Sequence, residues 1–149
     1  MTKTIIVYGS TTGNTLQLAE EIEENIKRYN GDVELAEVTD LHPSDLTAYE
    51  LILLGCSTWG DGELQDDFIT FEEEMKEIDL KGRLAACFGP GDSDYPLFCE
   101  AVDILENRLG SCGAKIVLEG LKIDGDVESQ FDIAGKWVNN LLKSVNDLS

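Results

Sequence analysis

The stretch Thr4-Ile5-Ile6-Val7-Tyr8-Gly9-Ser10-Thr11-Thr12-Gly13-Asn14-Thr15 decides the fold. Its first five residues are a short β-rich run. Its last seven hold two glycines, four hydroxyls and one amide, which is loop chemistry. Leu18, Ile22, Ile26 and Tyr29 then recur at helical spacing on one face, and Asn30-Gly31 stops the pattern. Strand, glycine-bearing loop and amphipathic helix in that order make one β-α step.

The same step recurs along the chain. Val33 to Val38 alternates apolar and polar residues like an outer strand, and Leu41 to Tyr49 has room for one short helix. Leu51-Ile52-Leu53-Leu54-Gly55 is continuously apolar, as a strand buried on both faces requires. A second long helix carries Phe68, Phe71, Met75 and Ile78. Leu84-Ala85-Ala86-Cys87-Phe88 reads as another buried strand. Phe98, Val102, Leu105 and Leu109 mark the next helix face, closed by Gly110, and Ile116-Val117-Leu118 is a fifth strand. A last helix runs from about Glu128 to Val145 with Phe131, Ala134, Trp137, Val138 and Leu141 inward. Five β-α steps predict an α/β fold: a three-layer, doubly wound sandwich around a five-stranded parallel sheet. Residues 1–149 form one domain on this reading. Such sheets bind ligands outside the carboxyl ends of their strands, where the strand order reverses. The loops after the first, third and fourth strands are therefore the places to search.

Charge and cysteine usage narrow the function. Eleven Lys and Arg stand against 30 Asp and Glu, a net charge of -19. That balance repels phosphate backbones and anionic lipid, which argues against nucleic acid and membranes as partners. Cys56, Cys87, Cys99 and Cys112 form no CxxC pair, and His42 is far from all of them, so no metal site is expected. The start, Met-Thr-Lys followed by five apolar residues, is too short for a signal peptide, and a cytoplasmic location is expected.

The first loop, Gly9 to Thr15, offers hydroxyls, glycine backbone and a helix start, whose N–H groups and dipole favour an anion. It lacks the Lys-Ser/Thr of a Walker A loop, since Asn14 follows Gly13, and it lacks G-x-G-x-x-G. A neutral phosphate cradle fits; an ordinary cluster of helix-capping residues is the plainer alternative. After the third strand, Cys56-Ser57-Thr58-Trp59-Gly60-Asp61-Gly62-Glu63 places a tryptophan among turn residues. After the fourth, Gly89-Pro90-Gly91-Asp92-Ser93-Asp94-Tyr95 again ends a glycine-rich turn on an aromatic. Two aromatic faces beside a phosphate cradle suit a planar ring; covering the ends of the sheet is their plainer role.

Three segments together resemble the flavodoxins, specifically the short-chain bacterial type similar to those of sulfate-reducing bacteria. They are Ile6 to Thr15, Gly55 to Asp61, and Cys87-Phe88-Gly89 with Gly91-Asp92-Ser93 and Tyr95, and the resemblance covers essentially the whole chain. It implies strand order 2-1-3-4-5 and one non-covalently bound FMN at the switch point. Ser10, Thr11, Thr12, Gly13, Asn14 and Thr15 would hold the phosphate. Trp59 and Tyr95 would sandwich the isoalloxazine. Backbone groups of Thr58, Gly60, Asp61, Gly91, Asp92, Leu97 and Cys99 would meet the ring edge, with Ser57, Gly89 and Phe98 completing the surroundings. Pro90 has no N–H to donate. In the family, the carbonyl matching Gly60 turns toward the ring when the semiquinone forms, a flip that glycine permits.

The resemblance further implies a low-potential one-electron carrier shuttling between semiquinone and hydroquinone, with no catalytic residue and no enzymatic turnover. Asp61, Glu63, Asp66, Asp67, Asp92 and Asp94 lie on or beside the ligand loops. A unit charge about 10 Å away in a water-like medium costs about 0.4 kcal/mol, roughly 20 mV for a one-electron couple. The acidic rim would steer basic faces of redox proteins such as reductases, cytochromes and other oxidoreductases toward a monomeric carrier. The rival is a small FMN-dependent NAD(P)H:quinone-type reductase, which needs open space on the ring face. A receiver-type signalling domain lacks its acids, since Gly9-Ser10 and Gly55-Cys56 stand there. A Cys-x5-Arg phosphatase lacks its arginine.

Overall fold

The computed structural model describes residues 3–9, 13–29, 31–59, 62–94 and 99–147, with Trp59 described through its backbone alone. Five strands alternate with helices as the periodicity predicts: β1 (Lys3–Gly9), α1 (Asn14–Arg28), β2 (Asp32–Glu37), β3 (Leu51–Cys56), a short hairpin of β4 (Thr58–Trp59) and β5 (Glu63–Leu64), α2 (Asp66–Glu74), β6 (Leu84–Gly91), α3 (Glu100–Ser111), an edge strand in two pieces, β7 (Lys115–Ile116) and β8 (Leu121–Asp124), and α4 (Phe131–Asp147). The main sheet runs β2-β1-β3-β6-β7, with β8 also on β6, and every pairing in it is parallel. With the two edge pieces counted as one, this is the expected 2-1-3-4-5 order.

Strand alternation sorts the core into two layers. Ile5, Val7, Ile52, Leu54, Ala85 and Cys87 face α2 and α3, through Phe68, Phe71, Val102, Leu105 and Leu109. Ile6, Leu51, Leu53, Ala86 and Phe88 face α1 and α4, through Leu18, Ile22, Ile26, Trp137, Val138 and Leu141. Every residue of β3 is buried, so its apolar run is covered on both sides. All four cysteines are buried and free. The short helix expected between Leu41 and Tyr49 is a 3-10 helix, Pro43–Ala48. Among the described residues no helix is long and apolar enough to cross a membrane.

Two expectations need correction. Tyr29 does not join the buried face of α1; it is 58% exposed. The helix ends at Arg28, so Tyr29 leaves the helical path as the C-cap, and its hydroxyl donates to Asn139 Oδ1 on α4 at 3.4 Å. The fifth strand does not run unbroken through Ile116-Val117-Leu118; its first piece ends at Ile116. Its register with β6 is Leu84 to Lys115 before the break and Phe88 to Leu121 after it, so the edge strand carries two extra residues. This bulge is held from both helical layers. Glu106 Oε2 on α3 accepts the Gly120 N–H at 3.1 Å, and Trp137 Nε1 on α4 donates to the Glu119 carbonyl at 2.9 Å. Gly120 fits because a Cβ there would lie 2.4 Å from Val102 Cγ1. An even insertion keeps every following side chain on its original face.

Gly55 closes β3 for a packing reason. A Cβ at that position would fall 2.1 Å from Phe88 Cζ, on the paired strand, and Phe88 is fully buried. Gly55→Ala is therefore expected to destabilise the protein by about 1–3 kcal/mol, the cost of overpacking. The double variant Gly55→Ala/Phe88→Leu should lose less than the sum of the two single losses, as urea denaturation of all three will show.

Candidate functional site

The sheet order reverses beside β1, which has β2 on one side and β3 on the other. Gly9 pairs with Cys56, and Gly55 with Phe88, so the loops after β1, β3 and β6 leave the sheet at one rim. That is the crevice in which an open α/β sheet binds its ligand.

The loop after β1 ends at Gly13, whose φ of 92° is left-handed and favours glycine. The Gly13 carbonyl accepts the Gln17 N–H at 3.0 Å and starts α1. Asn14 is exposed and Thr15 buried. Among the described residues no side chain caps this helix, and its first turn carries no acidic residue. The other three α-helices all begin with acid: Asp66 and Asp67, Glu100 and Asp103, and Asp132. In a chain with 30 carboxylates, this start, the one acid-free α-helix N-terminus among the described residues, has a positive dipole end and first-turn N–H groups suited to an anion. A phosphate monoester fits that donor set.

The described flanks of the loop after β3 form strand, where the sequence reads as turn alone. Thr58–Trp59 pairs antiparallel with Glu63–Leu64 as a small hairpin. Ser57 lies partly exposed before it, its carbonyl accepting from the Cys56 thiol at 3.2 Å. Thr58 Oγ1 accepts the N–H of Ala101, in the first turn of α3, at 2.9 Å. This is a helix cap supplied by a residue 43 positions away in sequence, and it joins the two loops expected to flank the ring.

β6 runs on through Gly89-Pro90-Gly91, so Gly89 and Gly91 belong to the strand, not to the following turn. β8 pairs with this extension. A Cβ on Gly89 would lie 2.3 Å from the Cys56 carbonyl oxygen, which brings the ends of β3 and β6 together. Beyond Gly91 the chain turns sharply. Asp92 Oδ1 accepts the Asp94 N–H at 2.9 Å, and Ser93 is bound to Asp124. Cys99 is buried in a left-handed conformation, φ 52°, with its thiol toward the Gly89 carbonyl at 3.6 Å. Ser10, Thr11, Thr12, Gly60, Asp61, Tyr95, Leu97, Phe98 and the Trp59 side chain lie outside the described residues.

Burial suppresses ionisation of the rim thiols. Desolvation raises Cys56 to about 12 and Cys99 to about 11, against an ordinary value of 9.0. Both stay neutral at physiological pH, as apolar filling does and a thiolate nucleophile does not.

Architecture and rim define a doubly wound α/β protein whose ligand crevice opens beside the start of α1 and the carboxyl ends of β3 and β6. The Flavodoxin family model matches residues 6–137. A flavodoxin from Maridesulfovibrio salexigens is 50% identical over 131 residues, covering 86% of this chain and 90% of that one. A flavodoxin from Nitratidesulfovibrio vulgaris is 44% identical over 149 residues, covering 97% and 100%. The crystal structure of oxidised flavodoxin 1 from Bacillus cereus superimposes with a TM-score of 0.89 at 38% identity, covering 95% of this chain and 97% of that one. The chain belongs to the flavodoxin family, whose members are FMN-binding electron carriers. FMN is its cofactor, and electron transfer rather than enzymatic turnover is its work.

Two outcomes follow from the rim. Thr58→Val removes the acceptor for the Ala101 N–H and is expected to cost about 1 kcal/mol in urea unfolding, as loss of a helix cap does, while Thr58→Ser keeps it. The thiols give a pH dependence. Unfolded cysteines ionise near 9 while folded Cys99 and Cys56 hold their protons to about 11 and 12. Unfolding then releases protons, so stability is full below pH 9 and falls as pH climbs from there toward 12. Cys99→Ala should lose less stability than the native chain between pH 8 and pH 10.5.

Proposed function

We propose that this chain is a low-potential one-electron carrier whose FMN lies across the reversal rim. Ser10, Thr11, Thr12, Gly13, Asn14 and Thr15 hold the phosphate; Trp59 and Tyr95 cover the ring faces. Ser57, Thr58, Gly60, Asp61, Gly89, Gly91, Asp92, Leu97, Phe98 and Cys99 surround the ring edge. Residues 1–149 act as one domain. The observation that carries this reading is the convergence at one rim of the α1 start, the one acid-free α-helix start among the described residues, with two loops tied by Thr58 and Ala101.

Bound FMN supplies the redox chemistry. The chain's own residues bind it and set its energetics. α1 presents backbone N–H groups to the phosphate without a balancing lysine in the loop. Glu63, Asp66, Asp67, Asp92 and Asp94 are exposed around the rim. Their field opposes added negative charge on the ring and so lowers the potential for full reduction; water and salt keep each contribution small. The same field draws basic faces of reductases, cytochromes and other oxidoreductases to the rim and orients them for transfer. The carrier works as a monomer in the cytoplasm.

Anaerobic titration of the FMN-loaded protein with dithionite tests the reading. Two resolved one-electron steps, the first with a long-wavelength absorbance band, are expected. A single two-electron step, or rapid reduction on mixing with NAD(P)H, overturns the carrier in favour of a reductase. Replacing Thr12 or Trp59 by Ala should weaken FMN binding by about tenfold or more, as loss of a charge-assisted contact or a stacked aromatic does; unchanged affinity in both refutes the site map. Transfer to a basic redox protein should slow as salt rises from about 10 to about 500 mM, because the Debye length shortens from about 30 Å to a few ångströms.

A further inference from the structure

The turn that follows β6 is fastened to the edge strand by one carboxylate. Ser93 N–H donates to Asp124 Oδ1 at 2.9 Å, and Ser93 Oγ donates to Asp124 Oδ2 at 2.6 Å. Both oxygens of one side chain thus hold both donors of one residue. The two bonds hold the Asp124 carboxyl below the usual carboxylate range, as hydrogen bonds to the charged form do.

Asp124 is itself fixed at its backbone. It lies opposite Gly91 in the β6–β8 ladder, the next residue's N–H, from Gly125, donates to the Gly91 carbonyl at 2.9 Å, and Gln130 Nε2 donates to the carbonyls of both Asp124 and Asp126 at 2.7 Å. The clamp has a rigid base on one side and a turn on the other.

The edge-strand bulge selects which residue stands there. Continued in the register of β7, the ladder would set Lys122 opposite Gly91; the two extra residues held by Glu106 and Trp137 set Asp124 there instead. A lysine has only donors and cannot accept the Ser93 N–H or its hydroxyl proton. Lys122 pairs instead with Asp103 on α3 at 3.0 Å.

We propose that Asp124 is a positioning residue for the flavin: by holding Ser93 through two hydrogen bonds, it fixes the Gly91–Asp94 turn in the shape that meets the ring. The proposal rests on the site reading above, in which Gly91 and Asp92 border the ring. It assigns Asp124 a geometric role distinct from that of one more carboxylate in the field.

Asn and Ala at position 124 separate the two roles. An asparagine accepts from the Ser93 N–H with its oxygen and donates from its NH2 to the hydroxyl oxygen, so it keeps the clamp without the charge. Alanine removes both. Amide exchange at Ser93 in the purified protein reads the clamp; FMN released on dilution of the loaded protein, followed by fluorescence, reads its effect on the cofactor. In Asp124→Ala, exchange at Ser93 should accelerate about tenfold or more and FMN affinity should fall about fivefold or more, with Asp124→Asn within about twofold of native in both. Ser93→Ala, which keeps the N–H arm, should lie between; it also serves as the readout if the Asp124→Ala protein does not fold. Unchanged exchange in Asp124→Ala overturns the clamp. Equal losses of affinity in Asn and Ala also overturn it, because charge alone then explains them. Faster exchange with unchanged affinity overturns it as well, and Trp59→Ala tells the two failures apart. If Trp59→Ala still weakens binding, the site stands and only the clamp's role fails; if it does not, the site reading falls too.

Discussion

Burial of β3 on both faces is the constraint from which the rim follows. All six residues from Leu51 to Cys56 are sealed from water, and they alternate between the two core layers. A strand of that kind is stable only with helices above and below the sheet. Crossovers between parallel strands are right-handed, so placing helices on both sides requires the chain to wind outward in both directions from the middle. β1 and β3 are where those directions part, and the loops at their carboxyl ends separate into a crevice. The ligand site is thus a consequence of how the core is covered before any loop residue is considered.

What the core does not supply, polar ties do. The hairpin after β3 is held to α3 by Thr58 and Ala101, and the turn after β6 to β8 by Ser93 and Asp124. Gln65, buried at the start of α2, accepts the Asp67 N–H and donates its own N–H to the Cys56 sulfur. Each tie joins a segment at the rim to an element anchored in the core. Ion pairs add little: of the four among the described residues, Glu23–Lys27, Glu73–Lys76 and Asp103–Lys122 lie at the surface, where such pairs contribute about 0–1 kcal/mol each, and only Glu72–Arg108 is partly buried. With 30 carboxylates and 11 cations, most of the charge stays uncompensated and extends as a field.

The sequence made the elements legible wherever one period governed several residues in a row. Leu18, Ile22 and Ile26, or Leu51 to Leu54, repeat a single instruction, and the structure follows it. It failed where one contact from elsewhere decided the outcome. Val117 and Leu118 have strand-forming side chains, yet Glu106 and Trp137 hold a bulge there. Tyr29 continues the helical spacing, yet the helix has already ended. Gly89 and Gly91 read as turn residues, because the pairing that makes them strand comes from Leu121–Asp124, more than 30 positions later. The site loops were legible as composition, glycines with hydroxyls and aromatics. The ties that shape them were not, since Thr58 carries no mark that it caps a helix 43 residues away.

The start of α1 shows how function enters the energetics. Acid in the first turn of a helix stabilises it by about 0.3–1 kcal/mol, and α2, α3 and α4 all have it. α1 does without, and begins on a glycine, although it keeps the complementary Lys27 and Arg28 in its last turn. In a chain so rich in carboxylates this is the costlier arrangement for the protein alone. In the proposed site an anion bound there would supply the missing charge and accept from the first-turn N–H groups. Binding to the folded chain alone then stabilises it in proportion to the logarithm of ligand occupancy. In the proposed site the FMN phosphate would take this place, and fold and cofactor would be coupled at the start of α1.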